Sequence, residues 1–151
     1  MGKTFDLSKV YKQLAVLPEH QVHAVVVFPV KGAWRFYKSI SLPVGCTGSV
    51  YGFVRVSQAI WFVISKTLHC ITSHHFDDFP TLVCTEGCKV LTPAFSAILD
   101  LLGWEHAKEG DKVLGFAAAF DLLGVTSDLC SAPQGVLKIM NKDHVAEPAT
   151  L

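Results

Sequence analysis

Two apolar runs flank a pair of adjacent acids, and that arrangement restricts the fold more than any other stretch of the chain. Cys70-Ile71-Thr72-Ser73 precedes His74-His75-Phe76-Asp77-Asp78-Phe79, and Pro80 then leads into Thr81-Leu82-Val83-Cys84. Apolar, β-branched runs on either side of a polar stretch with a breaker predict a strand, a tight turn and a returning strand. Two carboxylates at a hairpin tip can hold a divalent cation when a third acid approaches from elsewhere. Alone, such a pair is usually a solvated turn, so its meaning depends on what the rest of the chain brings to it.

Residues 3–7 read as the end of a short strand that closes beside Asp6. Residues 8–14 have helical spacing through Val10, Tyr11 and Leu14, and Pro18 begins a turn. Residues 24–30 are a β-branched run, Lys31-Gly32 is a turn signal and residues 34–40 alternate, which predicts a hairpin. Leu42-Pro43-Val44-Gly45 is punctuated as a loop. Val50, Phe53, Val54, Ser57, Ile60, Trp61, Ile64 and Leu68 then recur at steps of three and four, predicting a buried helix to about His69 with Ser49 as N-cap. A second helix is predicted from Thr92-Pro93, with Thr92 as cap and Pro93 in the first helical position, closing at Gly103. Gly110-Asp111-Lys112 is a turn and residues 120–125 are strand-like. The segment 129–151, with Pro133, Gly135 and Pro148, reads as an irregular C-terminal tail. Helices returning to one face of a largely antiparallel sheet predict an α+β fold, with residues 3–128 as its domain.

The chain of 151 residues is half apolar and 17% charged, which suits one globular domain with a core and excludes a disordered chain. The most apolar candidate for a membrane span, residues 59–64, falls far short of roughly 18 residues and lies near Arg55, Gln58 and Lys66. The first residues carry no apolar signal core, and Asp6 departs from the acylation pattern that Gly2 would begin. An intracellular location, cytoplasmic or nuclear, with no membrane partner is the expectation. Five cysteines in a chain without a visible signal suit free thiols. The spacings of His69, Cys70, His74, His75, Cys84 and Cys88 do not match paired zinc-ligand patterns. Trp34, Trp61 and Trp104 read as core residues. Thirteen Lys and Arg balance thirteen Asp and Glu, so no net charge draws the whole chain toward nucleic acid.

If the first strand lies beside the acidic hairpin, Asp6 approaches Asp77 and Asp78. Three carboxylates at adjacent strand ends form an oxygen-rich site suited to two Mg²⁺ ions (or Mn²⁺). Such ions lie about 3.5–4 Å apart and clamp the attacking and leaving oxygens of a phosphoryl transfer.

Five segments, taken in order, resemble the palm motifs of retroelement reverse transcriptases. Residues 5–14, Phe-Asp-Leu-Ser-Lys-Val-Tyr-Lys-Gln-Leu, look like the first motif. Leu42-Pro43-Val44-Gly45 followed by Gly48-Ser49 resembles the second, and Phe76-Asp77-Asp78 the third, with His75 where the leading aromatic usually stands. Gly103-Trp104, Lys112 and Leu122-Leu123-Gly124 resemble the fourth and fifth. The resemblance implies a polymerase-type palm whose fingers and thumb are not in this chain. It implies Asp6, Asp77 and Asp78 as catalytic metal ligands, and the backbone from Leu7 to Tyr11 as a cradle for the triphosphate. Tyr11 would lie under the sugar of the incoming nucleotide and select deoxynucleotides. Pro43, Val44 and Gly45 would shape the loop touching template and nucleotide, and Lys112 (or Lys108) would protonate the leaving pyrophosphate. The implied reaction is RNA-directed DNA synthesis, adding dNTPs to a primer 3′-OH on an RNA or DNA template. Two other readings are an inactive retroelement relic, and a metal- or nucleic-acid-binding module without catalysis.

Overall fold

The computed structural model describes residues 1–108 and 114–141. Ten regular elements follow one another. They are β1 (Gly2–Asp6), β2 (Val25–Val30), β3 (Ala33–Lys38), α1 (Thr47–Leu68), β4 (Ile71–Thr72), β5 (Asp78–Leu82), α2 (Cys88–Leu101), β6 (Ala119–Leu122), β7 (Val125–Asp128) and β8 (Lys138–Asn141). The strands form three antiparallel groups, ordered β1-β5-β4, β2-β3 and β6-β7-β8. The α+β class expected from the sequence is the class observed. Among the described residues no helix is long and apolar enough to cross a membrane.

The first sheet positions everything else. β1 pairs with β5 from Gly2↔Leu82 to Asp6↔Asp78. Alternation along a strand sends Phe5 and Phe79 to one face. There Phe5 stacks on Phe95 of α2, with ring centroids 3.8 Å apart, and Phe79 meets the same ring edge-on at 6.2 Å. Leu7, Phe53, Ile60, Ile64 and Leu99 complete this core. Phe53, Phe79 and Phe95 are fully buried, and each such side chain contributes about 1.5–3 kcal/mol of hydrophobic stabilisation. Both helices therefore cover the same face of β1 and β5, and Asp6 and Asp78 fall on the other.

Helix α1 runs as its periodicity predicts, but its N-cap is Cys46 and not Ser49, which lies buried within the first turn. Helix α2 starts five residues before Pro93, leaving that proline inside the helix. The sequence places Pro93 at the start because its ring suits a first turn; burial of Leu91 against the body favours an earlier start. The end of α2 is as expected. Gly103 takes φ +78°, its amide donates to Asp100 O at 3.0 Å and the Trp104 amide to Leu99 O at 2.8 Å. That is the paired bonding of a Schellman cap, and it favours glycine at the left-handed position.

Residues 8–14 shrink to a single 3₁₀ turn, Val10–Gln13, entered through Lys9 at φ +49°. A left-handed residue at that point stops an α-helix from starting earlier. The segment read as an irregular tail holds an ordered strand, since β8 pairs with β7 from Val125↔Asn141 to Asp128↔Lys138. Residues 142–151 lie outside the described residues.

Candidate active site

The acidic turn is a two-residue hairpin. His75 N–H donates to Asp78 O at 2.8 Å and Asp78 N–H returns to His75 O at 3.0 Å, leaving Phe76 and Asp77 as the loop. Phe76 sits at φ +51°, a conformation that bulky residues rarely adopt. Helix α1 holds it there: the hydroxyl of Ser57, a fully buried residue, donates to the Phe76 carbonyl. The same hydroxyl lies 3.5 Å from His74 Nδ1, and the His74 ring packs near Trp61. Ser57 was legible only as a polar member of an apolar stripe, and nothing in the sequence connects it to the acids.

Asp6 enters from β1. Leu7 N–H donates to Asp77 O at 3.1 Å, which makes Leu7 and Asp77 a hydrogen-bonded pair of the ladder. Asp6 and Asp78, one step back, then form a non-hydrogen-bonded pair, the register that brings opposed side chains closest, with Cα atoms typically about 4.5 Å apart. Both carboxylates leave the face opposite the helices. Asp6, Asp77 and Asp78 are half-buried at this strand end. Among the described residues, no three His, Cys, Asp or Glu side chains converge closely enough to surround one ion. Their donor set, all carboxylate oxygen, is of the hard type that Mg²⁺ and Mn²⁺ take.

The other predicted residues are placed as follows. The Leu7 side chain is in the core and its amide is bound to Asp77; the neighbouring Ser8 amide donates to Glu105 O at 3.0 Å. A phosphate cradle in this stretch is thereby confined to the turn from Lys9 to Tyr11. Tyr11 is half-buried, its ring 5.6 Å from that of Phe53. Pro43, half-buried, leads into the exposed turn Val44-Gly45 before α1, with Gly45 at φ +86°. That loop is tied to the Tyr11 turn, because Leu42 N–H donates to Leu14 O at 3.0 Å and Ser41 bridges Ala15. Gln13 fastens the same turn to the opposite side through its amide, which bonds Glu105 O at 3.0 Å and accepts from Glu105 N–H at 2.7 Å.

Lys112 lies outside the described residues. Lys108 is salt-bridged to Asp100, Nζ to Oδ1 2.8 Å, and that contact draws the Asp100 carboxyl below the usual range. A shallow cavity of about 190 Å³ joins Asp6 to this pair, lined also by Lys3, Ser96 and His106. Lys3 is nearly buried, its ammonium 4.5 Å above the Phe5 ring, and burial pushes its pKa down. No protein-family model matches the chain, and no curated protein matches it either.

Proposed function

We propose that the chain is the palm region of an RNA-directed DNA polymerase of the retroelement type. The observation that carries this reading is the opposed pair Asp6 and Asp78 beside Asp77, on the sheet face that both helices leave uncovered. Carboxylate oxygens grouped at one strand end are the hard ligands that divalent cations take. In this reading Asp6 and Asp77 would hold two Mg²⁺ ions with Asp78 beside them, and the metal would supply Lewis-acid stabilisation of the phosphoryl transfer. The chain's own part is to fix the ligands and the nucleotide. Ser57 clamps the acidic turn, the Leu7–Asp77 hydrogen bond sets the register, Leu14 ties the Tyr11 turn to the Pro43–Gly45 loop and Gln13 ties it to Glu105 on the opposite side. Tyr11 stands against the sugar and disfavours a 2′-hydroxyl. Lys112 serves as the acid for pyrophosphate, a role that Lys108 fills less readily while it is bound to Asp100.

A binding module without catalysis is the second reading. It is favoured by the Leu7 and Ser8 amides, which are already used inside the protein and so do not face a triphosphate. The two readings separate in two measurements. Mn²⁺ titrated into labelled protein should broaden the backbone signals of Asp6 and Asp78 first, and Asp77→Asn should weaken that broadening at least tenfold. In a longer chain that supplies the fingers and thumb, primer extension with Mg²⁺ should favour dNTPs over rNTPs, vanish in Asp77→Asn, and lose its sugar preference in Tyr11→Val. Extension that survives Asp77→Asn overturns the catalytic assignment; metal binding without any extension selects the module.

A further inference from the structure

The balanced total charge conceals a segregated one. Between Glu19 and Asp77 the chain contains no acidic residue, while five Lys and Arg lie there; the remainder carries eight Lys and Arg against thirteen acids. Three of those five cations, Lys31, Arg35 and Lys38, belong to the β2–β3 hairpin and its turn. Eleven of its twelve strand residues are exposed. The hairpin joins the body at its base, where Val16 N–H donates to Ile40 O at 2.9 Å, and it projects as an arm.

Its aromatic residues are arranged with the charge. The register Pro29↔Trp34, Val27↔Phe36 and Val25↔Lys38 puts Trp34, Phe36 and Lys38 in one row on one face. Trp34, read from the sequence as a core residue, is 68% exposed and Phe36 73%, so both rings are largely open to solvent. Residues two apart on a strand are separated by about 6.8 Å, twice the roughly 3.4 Å stacking step of a nucleic-acid strand, so one base fits between the two rings. A partner that matches this row must be anionic along its length and present flat apolar rings at regular intervals.

We propose that the β2–β3 hairpin is a stacking arm for single-stranded nucleic acid, with Trp34 and Phe36 receiving bases, and Lys38 on the same face and Lys31 in the turn receiving phosphates. The arm does not depend on the polymerase chemistry proposed for Asp6, Asp77 and Asp78. Single-stranded binding of this kind combines a basic track with aromatic platforms and tolerates sequence variation, because every base offers a π face.

The test uses the full chain and a fluorescein-labelled dT12 strand, read by anisotropy and by quenching of tryptophan fluorescence. The expected result is binding whose log affinity falls against log salt with a slope of about −1.4, from two phosphate contacts on a single strand. Trp34→Ala with Phe36→Ala should weaken binding at least tenfold and remove the quench, and replacing Lys31 and Lys38 by Ala should bring the slope near zero. Circular dichroism should show both variants folded, since the arm contributes little to the core. The dT12 assay contains neither divalent cation nor dNTP, which separates failure of the arm from failure of the metal site. Three results overturn the proposal: dT12 binding unchanged in both arm variants; heparin, which has no bases, competing equally with the aromatic pair present or removed; or the pair abolishing self-association of the chain while dT12 never binds.

Discussion

At the scale of single residues, the acidic turn depends on groups that are not acidic. Phe76 occupies a left-handed conformation that its side chain disfavours, and the hydroxyl of Ser57 compensates by bonding the Phe76 carbonyl from the fully buried side of α1. Ser57→Ala leaves that carbonyl without its donor, so it should destabilise the protein by about 1–2 kcal/mol in urea unfolding. Exchange of the His75 and Asp78 amides should quicken at the same time; a variant as stable and as protected as the parent would show that the clamp is idle. Lys3 makes the opposite case. Its folded pKa lies below the unfolded value because burial disfavours the ammonium. The unfolded chain therefore binds more protons between those two values, and stability rises as pH climbs through that window. Lys3→Met should abolish this rise and at pH 7 should be neutral or stabilising by about 1 kcal/mol. Unfolding measured from pH 7 to 11 checks both parts. The two acids at 77 and 78 were legible because apolar runs and Pro80 bracket them. The strain at Phe76 was not, because phenylalanine gives no signal of positive φ, and neither was the burial of Lys3, a residue type that usually stays wet.

At the scale of elements, local rules sufficed where a local interaction decides the structure. Lys31-Gly32 turns its hairpin with positive φ at both residues and Gly103 closes α2 through two backbone bonds, whereas Leu123-Gly124 makes the same kind of turn inside a stretch, residues 120–125, that reads as strand. They failed where packing decides. The spacing of residues 8–14 is helical, yet Lys9 breaks it into one 3₁₀ turn. Pro93 has the look of a helix start, yet α2 begins at Cys88 because Leu91 is buried with the core. A proline at that depth cannot donate to the carbonyl four residues earlier, that of Lys89, and its ring crowds the preceding turn. Pro93→Ala should restore the bond and stabilise the protein by about 1–2 kcal/mol, which for a chain of this size is a rise in Tm of roughly 2–8 °C. Calorimetry decides it, and a Tm that falls would mean that the proline ring packs better than it bonds poorly.

At the scale of the whole molecule, the least legible feature is how the third sheet meets the first. β6, β7 and β8 are short, and their pairing with one another follows from turns. Their docking on β1 follows from contacts more than a hundred residues apart in the chain. Gly2 exchanges backbone hydrogen bonds with Ala117 at 2.8 and 2.9 Å, and the Thr4 hydroxyl donates to Asp121 O at 2.9 Å. No periodicity announces such a junction, because it asks only for a small residue at one position and a hydroxyl at another. The small residue is the sensitive part. A Cβ on Gly2 would lie 2.1 Å from the Phe120 ring, too close for any packed pair, so the ring or the strand must move. Overpacking of this kind costs about 1–3 kcal/mol. Gly2→Ala should lower stability by that amount, and its effect should be regional. Amides of β6 and β7 should lose protection with those of β1, while α1, which does not touch the junction, should change only through global unfolding. If β6 and β7 exchange as slowly as before while α1 weakens, the strain runs into the helical core. The junction would then be compliant, and the first sheet with its carboxylates would not owe its position to the third.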